Sequence, residues 1–244
     1  MSSGSLRRRA QSGILARLRG HLVVSCQAPA GSPLKATAHM YAMAEAALLG
    51  GAAGIRAQGY DDVQAIARLG HPVIGLIKRD EPGSAVYITP RACDVELLAA
   101  AGAQIVASDA TGRTRASGET TEQLVAAAHQ SGALFMADVD CVDAALAAVE
   151  AGADLVGTTL SGYTLGPIPH EPDIELVAEL ARRLTVPVVA EGRYRTPEQV
   201  RAAFDACAWS VVVGGAITDP VALTRRLVSA CSHHLLPETL GDDA

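Results

Sequence analysis

The chain has 244 residues and a formal net charge of −6; 49% of its residues are hydrophobic but only 3% are aromatic. The length suits one α/β barrel or two small domains, and the acidic balance argues against a nucleic-acid surface. No apolar run is long enough to span a membrane, and no charged–apolar–small pattern at the N-terminus reads as a secretory signal.

With so few aromatic residues, the core must come from Ala, Val, Leu and Ile. That suits parallel strands buried on both faces under Ala-rich helices. The cysteines (Cys26, Cys93, Cys141, Cys207 and Cys231) are scattered and include no Cys-x-x-Cys pair. They read as reduced thiols of a cytoplasmic protein. The histidines form no His-x-His or His-Glu-x-x-His array, so no metal site is expected.

Residues 1–4 read as disordered. Residues 5–19 read as a basic amphipathic helix with Leu6, Ile14, Leu15 and Leu18 inward, suited to closing the bottom of a barrel. Arg7-Arg8-Arg9 reads as its solvated end. A rhythm then begins. His21–Cys26 is a strand and residues 33–49 a helix; Gly54–Ala57 is a strand and Asp61–Leu69 a helix, with Asp61-Asp62 at its positive start. Val73–Lys78 is a strand followed by a longer loop through Pro90 and a helix near Asp94–Ala101. Ile105–Asp109 precedes a polar loop, Ala110–Gly118, and a helix over residues 120–130. Leu134–Asp138 precedes a helix over 141–151. Leu155–Thr159 precedes a Gly- and Pro-rich loop, Leu160–Pro172, and a helix over 173–183. Val186–Glu191 is followed by a helix opened by Thr196-Pro197, an N-cap with Pro in the first turn. Ser210–Gly215 is the eighth strand and Asp219–Ser229 the last helix. A polar tail with His233-His234 ends the chain.

Eight strand–helix units predict a (β/α)8 TIM barrel. Residues 1–20 are its tail and closing helix, 21–230 the barrel, and 231–244 a C-terminal tail. The turns Gly51–Gly54, Ala101-Gly102-Ala103 and Ala151-Gly152-Ala153 form a weak internal repeat just before strands. A doubly wound sheet would carry a Gly-x-Gly-x-x-Gly turn after its first strand; Cys26-Gln27-Ala28-Pro29 is not one.

In such a barrel, chemistry stands at the C-terminal strand ends. There the chain offers Gln27, Arg56, Lys78-Arg79-Asp80, Asp109, Asp138, Thr158-Thr159, Ser161, Glu191, Arg193 and Gly214-Gly215. A strand-end lysine either reaches for solvent or aims a cation into a pocket. If both strands share one barrel, Lys78 and Glu191 meet over its centre and can move protons. A lysine near its ordinary pKa of ~10.4 is a poor base at neutral pH; burial or Arg79 would lower it and Glu191 would raise it. Arg56, Arg193 and Gln27 suit hydroxyl, amide or carboxylate groups. Gly192, Gly214 and Gly215 either hold a phosphate on backbone N–H groups or only make tight turns.

The same stretches resemble the N-acylglucosamine-6-phosphate 2-epimerases, also called N-acetylmannosamine-6-phosphate 2-epimerases. The resemblance is carried by Val24–Ala28, Gly54–Ala57, Gly75–Asp80, Val86–Pro90, Asp109–Thr111, Gly157-Thr158-Thr159-Leu160-Ser161-Gly162-Tyr163-Thr164, Ala190–Arg193 and Val211–Thr218. It covers residues 21–230. It implies a (β/α)8 barrel interconverting N-acetylmannosamine 6-phosphate and N-acetylglucosamine 6-phosphate in sialic-acid breakdown, with no metal or organic cofactor. It implies catalysis by Lys78 and Glu191, and substrate contacts by Gln27, Arg56, Asp138 and Arg193, to which the rim adds Thr159. A Schiff-base aldolase with Lys78 as nucleophile, or a non-catalytic phosphosugar-binding barrel, are the alternative readings. Partners are then a small phosphosugar and, as exposed helices of such barrels often pair, a homodimer. The chain departs from the family at Asp219, where an arginine often helps to bind phosphate, and at Asp140, an extra carboxylate after the fifth strand.

Overall fold

The computed structural model describes residues 13–231. The expected disordered start, the Arg7–Arg9 helix end and the His233–His234 tail lie outside them, as do residues 5–12 of the expected closing helix. Eight parallel strands close into a barrel in sequence order: β1 (Leu22–Cys26), β2 (Gly54–Gln58), β3 (Val73–Leu76), β4 (Ile105–Asp109), β5 (Leu134–Asp138), β6 (Leu155–Gly157), β7 (Val188–Glu191) and β8 (Ser210–Val213). Around them run α1 (Thr37–Leu49), α2 (Tyr60–Ala67), α3 (Ala92–Ala100), α4 (Thr121–Gln130), α5 (Val142–Glu150), α6 (Ile174–Arg183) and α7 (Pro197–Asp205). A short α8 (Gly215–Thr218) and α9 (Pro220–Cys231) follow. Closure is made by β1 against β8, in the register Val23↔Val212 and Val24↔Val213.

Side-chain alternation along each strand divides the apolar residues into two sets. Ile55, Val106, Phe135, Val156 and Val211 face outward and pack with the helices. Val23, Ile74, Leu76, Ile105, Met136, Leu155, Val189 and Val212 face inward and fill the lower barrel. The bottom is plugged as expected: residues 13–18 are helical, and Leu18 is 1% exposed within the inner cluster. The Trp209 indole N–H donates to Leu15 O at 2.9 Å, and Arg19 lies 4.8 Å from the indole centroid.

The weak internal repeat is a helix-ending device. Gly102 N–H donates to Ala99 O and Ala103 N–H to Leu98 O, with Gly102 at φ +104°. This is the paired bonding of a Schellman stop, which turns the chain back toward the barrel. The same pair of bonds recurs after α1, α4, α5 and α7. In the last of these Cys207 holds the left-handed position, at φ +66°. The expected cap at Thr196 forms a full capping box with Gln199.

Several boundaries differ from expectation, β6 ending at Gly157 and β7 starting at Val188 among them. α1 begins at Thr37, because residues 33–36 form a turn instead. β3 ends at Leu76: Lys78 leaves the barrel to pair antiparallel with Ile88, with Arg79 N–H on Tyr87 O at 2.8 Å and Thr89 N–H on Ile77 O at 2.7 Å. β8 ends at Val213, and Gly215 opens the separate four-residue α8.

Candidate active site

The inward set continues upward on the same parity. Two residues past Met136, Val189, Leu76, Leu155–Gly157 and Val23 come Asp138, Glu191, Lys78, Thr159 and Ser25. Apolar layers therefore give way to polar groups at the C-terminal ends of the strands. Of these, Ser25, Lys78, Thr159 and Glu191 line a cavity of about 1100 Å³ with Gln27, Arg56, Tyr87, Ile88, Gly192, Arg193, Gly214 and Gly215; Asp138 is fully buried and does not line it. Gly157 sits at the junction of the two layers. A Cβ there would stand 2.3 Å from Met136 Cε and 3.3 Å from Asp138 Oδ1, so the close approach requires glycine.

Arg56 organises the floor of the cavity. It is 1% exposed, and its guanidinium meets Asp138 with two bonds, Nη2 to Oδ2 at 2.6 Å and Nη1 to Oδ1 at 3.2 Å. The same Nη1 lies 3.1 Å from Glu191 Oε2. Thr159 Oγ1 lies 2.7 Å from Asp138 Oδ1 and 3.1 Å from Glu191 Oε2, joining the two carboxylates. A fork of this kind fixes geometry as well as charge. Burial works to lower the Arg56 pKa, but Asp138 and Glu191 outweigh it and hold the guanidinium charged.

Glu191 and Lys78 are shifted toward each other. Burial, the largest effect, pushes the Glu191 carboxyl up to about 7, and Asp138 adds repulsion against the pull of Arg56, Thr159 and Lys78. The Lys78 side chain opens to the cavity and makes no ion pair with any described residue. The surrounding walls still desolvate its ammonium, and this with Arg56 lowers its pKa against the opposing pull of Glu191 and Asp138. The expected cationic neighbour was Arg79, but its Nη2 is drawn 2.5 Å from Asp94 Oδ1, on α3. Arg56 takes that part. A lysine eased toward its neutral form and a carboxyl eased toward its protonated form are the states that a base and an acid need near neutral pH.

The rim residues have different neighbours. Gln27 Nε2 donates to Ser25 Oγ at 2.8 Å, while its buried Oε1 has no partner. Arg193 follows Gly192 and itself holds a left-handed φ of +64°, which costs a side-chain-bearing residue about 1–2 kcal/mol. That turn lets its Nε donate to Glu171 O at 2.7 Å while the guanidinium stacks 5.3 Å from the Tyr163 centroid. Arg193 thus ties down the loop after β6 as well as lining the cavity. Gly214 and Gly215 border the cavity beside Ser25 and Asp219.

Two departures from the family pattern have structural partners. Asp140 accepts from Thr164 Oγ1 at 2.7 Å and anchors the same loop. Asp219 Oδ1 accepts from Ala222 N–H at 3.0 Å, in the first turn of α9. Asp109 accepts from Thr111 and Arg113 and does not line the cavity. Tyr87 and Ile88 were assigned no role by sequence. Their signal was the Pro82-Gly83 turn, which returns the chain antiparallel to Lys78. Among the described residues, no group of three His, Cys, Asp or Glu side chains could hold a metal ion.

The chain is similar to known proteins over most of its length. The NanE family model, described as "Putative N-acetylmannosamine-6-phosphate epimerase", matches residues 40–233. A Clostridium perfringens protein named "Putative N-acetylmannosamine-6-phosphate 2-epimerase" is 44% identical over 211 residues, covering 86% of this chain and 96% of its own. A Cutibacterium acnes protein of the same name is 46% identical over 219 residues, covering 86% and 93%. The solved structure of the N-acetylmannosamine-6-phosphate 2-epimerase from Clostridium perfringens matches with a TM-score of 0.86 at 43% identity, over 88% of this chain and 95% of that one.

Proposed function

The chain belongs to the N-acetylmannosamine-6-phosphate 2-epimerase family, and from that premise we propose that it inverts C2 of N-acetylmannosamine 6-phosphate to give N-acetylglucosamine 6-phosphate. The observation that carries this reading is the joint setting of Lys78 and Glu191. One is pushed toward its neutral form and the other toward its protonated form, on the wall of one cavity floored by Arg56.

The sugar reacts in its open-chain form, with C2 beside the C1 aldehyde. Neutral Lys78 removes the C2 proton and becomes the ammonium. The electron pair moves through C1 onto the carbonyl oxygen, giving an enolate that carries the acetamido group at C2. Glu191, as the carboxylic acid, returns a proton to the opposite face of C2, and the carbonyl re-forms. Positioned acid–base groups of this type supply about 10²–10⁴-fold of rate each. Arg56 and Thr159 keep Glu191 in place. The unpartnered Gln27 Oε1 suits an N–H donor such as the substrate's acetamido group. Gly192, Gly214 and Gly215 offer backbone N–H groups to the 6-phosphate. The reaction serves the breakdown of sialic acid. A homodimer is supported by α9, which buries no side chain and leaves Leu227 68% exposed.

Proton NMR of N-acetylmannosamine 6-phosphate with the protein in D2O tests the reading. The expected outcome is the C2 epimer carrying deuterium at C2. A protein that leaves the C2 proton unexchanged is not this epimerase.

A further inference from the structure

The mouth of the cavity has a charge problem. Gly214 and Gly215 stand where a phosphate would be held, yet Asp219 Cβ is 3.8 Å from the position a Cβ would take on Gly215. A carboxylate so close opposes a phosphate dianion, and its bond to Ala222 N–H engages only Oδ1. Backbone N–H groups carry partial charge only, so a cation must offset Asp219 if the anion is to stay.

The cavity wall supplies candidates. Asp219, Ala222, Leu223 and Arg226 all line it, at the spacing of one helical face of α9. Arg226 therefore stands on the same stripe as Asp219, two turns further on. Across the mouth, Lys35 lines the cavity from the segment between β1 and α1. Both side chains are exposed, and neither makes an ion pair with a described residue. Of the other cations on the wall, Lys78 is assigned above to the proton transfer, and the arginines are held by protein groups. Arg56 holds Asp138 and Glu191, Arg193 is bound to Glu171 O and stacked on Tyr163, and Arg195 donates to His170 O at 3.0 Å.

We propose that Arg226, assisted by Lys35, holds the substrate's phosphate, and that Asp219 is retained as the cap of α9. The proposal rests on the phosphosugar reading above, and deepens it by naming where the phosphate charge is met. Arg226 offers paired N–H donors matched to phosphate oxygens, and Lys35 adds a point charge from the facing segment.

The test compares Arg226→Ala, Lys35→Ala and the double variant with the wild type, using N-acetylmannosamine 6-phosphate as substrate and inorganic phosphate as a competing ligand. Arg226→Ala is expected to raise KM and the phosphate inhibition constant about tenfold or more, the loss typical of a charged hydrogen bond. Lys35→Ala shifts both in the same direction by less, and Arg226→Lys recovers part of the loss. Affinity for unphosphorylated N-acetylmannosamine, by calorimetry, stays unchanged in every variant. If the double variant binds phosphate and phosphosugar as the wild type does, the proposal is wrong. Calorimetric binding of the phosphosugar keeps the two readings apart. A wild type that binds it without exchanging C2–H fails as an epimerase, while a weaker Arg226→Ala complex still supports this phosphate site.

Discussion

The two halves of the barrel interior obey the same alternation but bury opposite chemistry. Below, Ile74, Ile105, Leu155, Val189 and Val212 meet as an apolar cluster, with Leu18 and Trp209 as the plug. Above, on the same strands and parity, stand Lys78, Asp138, Thr159 and Glu191 around the Arg56 of β2. The lower half stabilises the fold and brings no reactive group. The upper half holds charges whose pairing is strained by burial. Removing one member would leave an uncompensated buried charge, at a cost of about 3–5 kcal/mol. The contrast separates stability from function along a single strand, and variants in each half test that separation.

The largest effect is expected at Lys78. Lys78 lines the cavity, and its ammonium makes no ion pair with a described residue. Lys78→Met should keep the melting temperature near that of wild type and lower kcat by about 10²–10⁴-fold. Single-turnover deuterium exchange at C2 is the cleaner readout, because it is insensitive to product release. A variant that exchanges at the wild-type rate would remove Lys78 from the chemistry.

The next effect is thermodynamic. The Glu191 carboxyl is raised to about 7 from an ordinary 4.5, chiefly by burial. The folded state therefore binds this proton more tightly than the unfolded chain does. The associated stability is fully present below about 4.5 and is lost as pH rises through about 7. Denaturant midpoints taken from pH 5 to pH 8 should fall more steeply for wild type than for Glu191→Gln, which cannot ionise. Parallel curves would mean that Glu191 titrates in the fold as it does in the open chain.

The fold was legible because its signals are local and repeated. Apolar strands, helix caps such as Thr196 and left-handed glycines such as Gly102 and Gly152 each act within a few residues. The candidate site was legible in part for the same reason, since charges such as Lys78 and Glu191 end apolar runs. What joins them was not legible. The bonds from Arg56 to Asp138 cross 82 residues, and Thr159 reaches 32 residues to Glu191. Nor does spacing state that Arg79 pairs with Asp94 while its neighbour Lys78 opens to the cavity. That division follows from the antiparallel return of Tyr87 and Ile88, which fixes the backbone of both residues. Nor does the departure at Asp219 state by itself that its carboxylate accepts from Ala222 N–H as a helix cap.

The smallest expected effect lies in the lower half. Trp209→Phe keeps a ring against the plug but deletes the indole N–H that bonds Leu15 O, and weakens the stack with Arg19. The Leu15 carbonyl sits in a partly buried place, where losing one neutral hydrogen bond costs about 1 kcal/mol. For a chain of this size that corresponds to a fall of about 2–4 °C in Tm. The polar layer stands at the other end of the strands, and the close-packed residues between them are untouched by the change. The kinetic constants should therefore match wild type at temperatures well below the transition. A Trp209→Phe enzyme with normal Tm but reduced kcat would show that the plug and the charged layer are coupled through the inner apolar cluster, and that the two halves do not divide stability from function as cleanly as their chemistry implies.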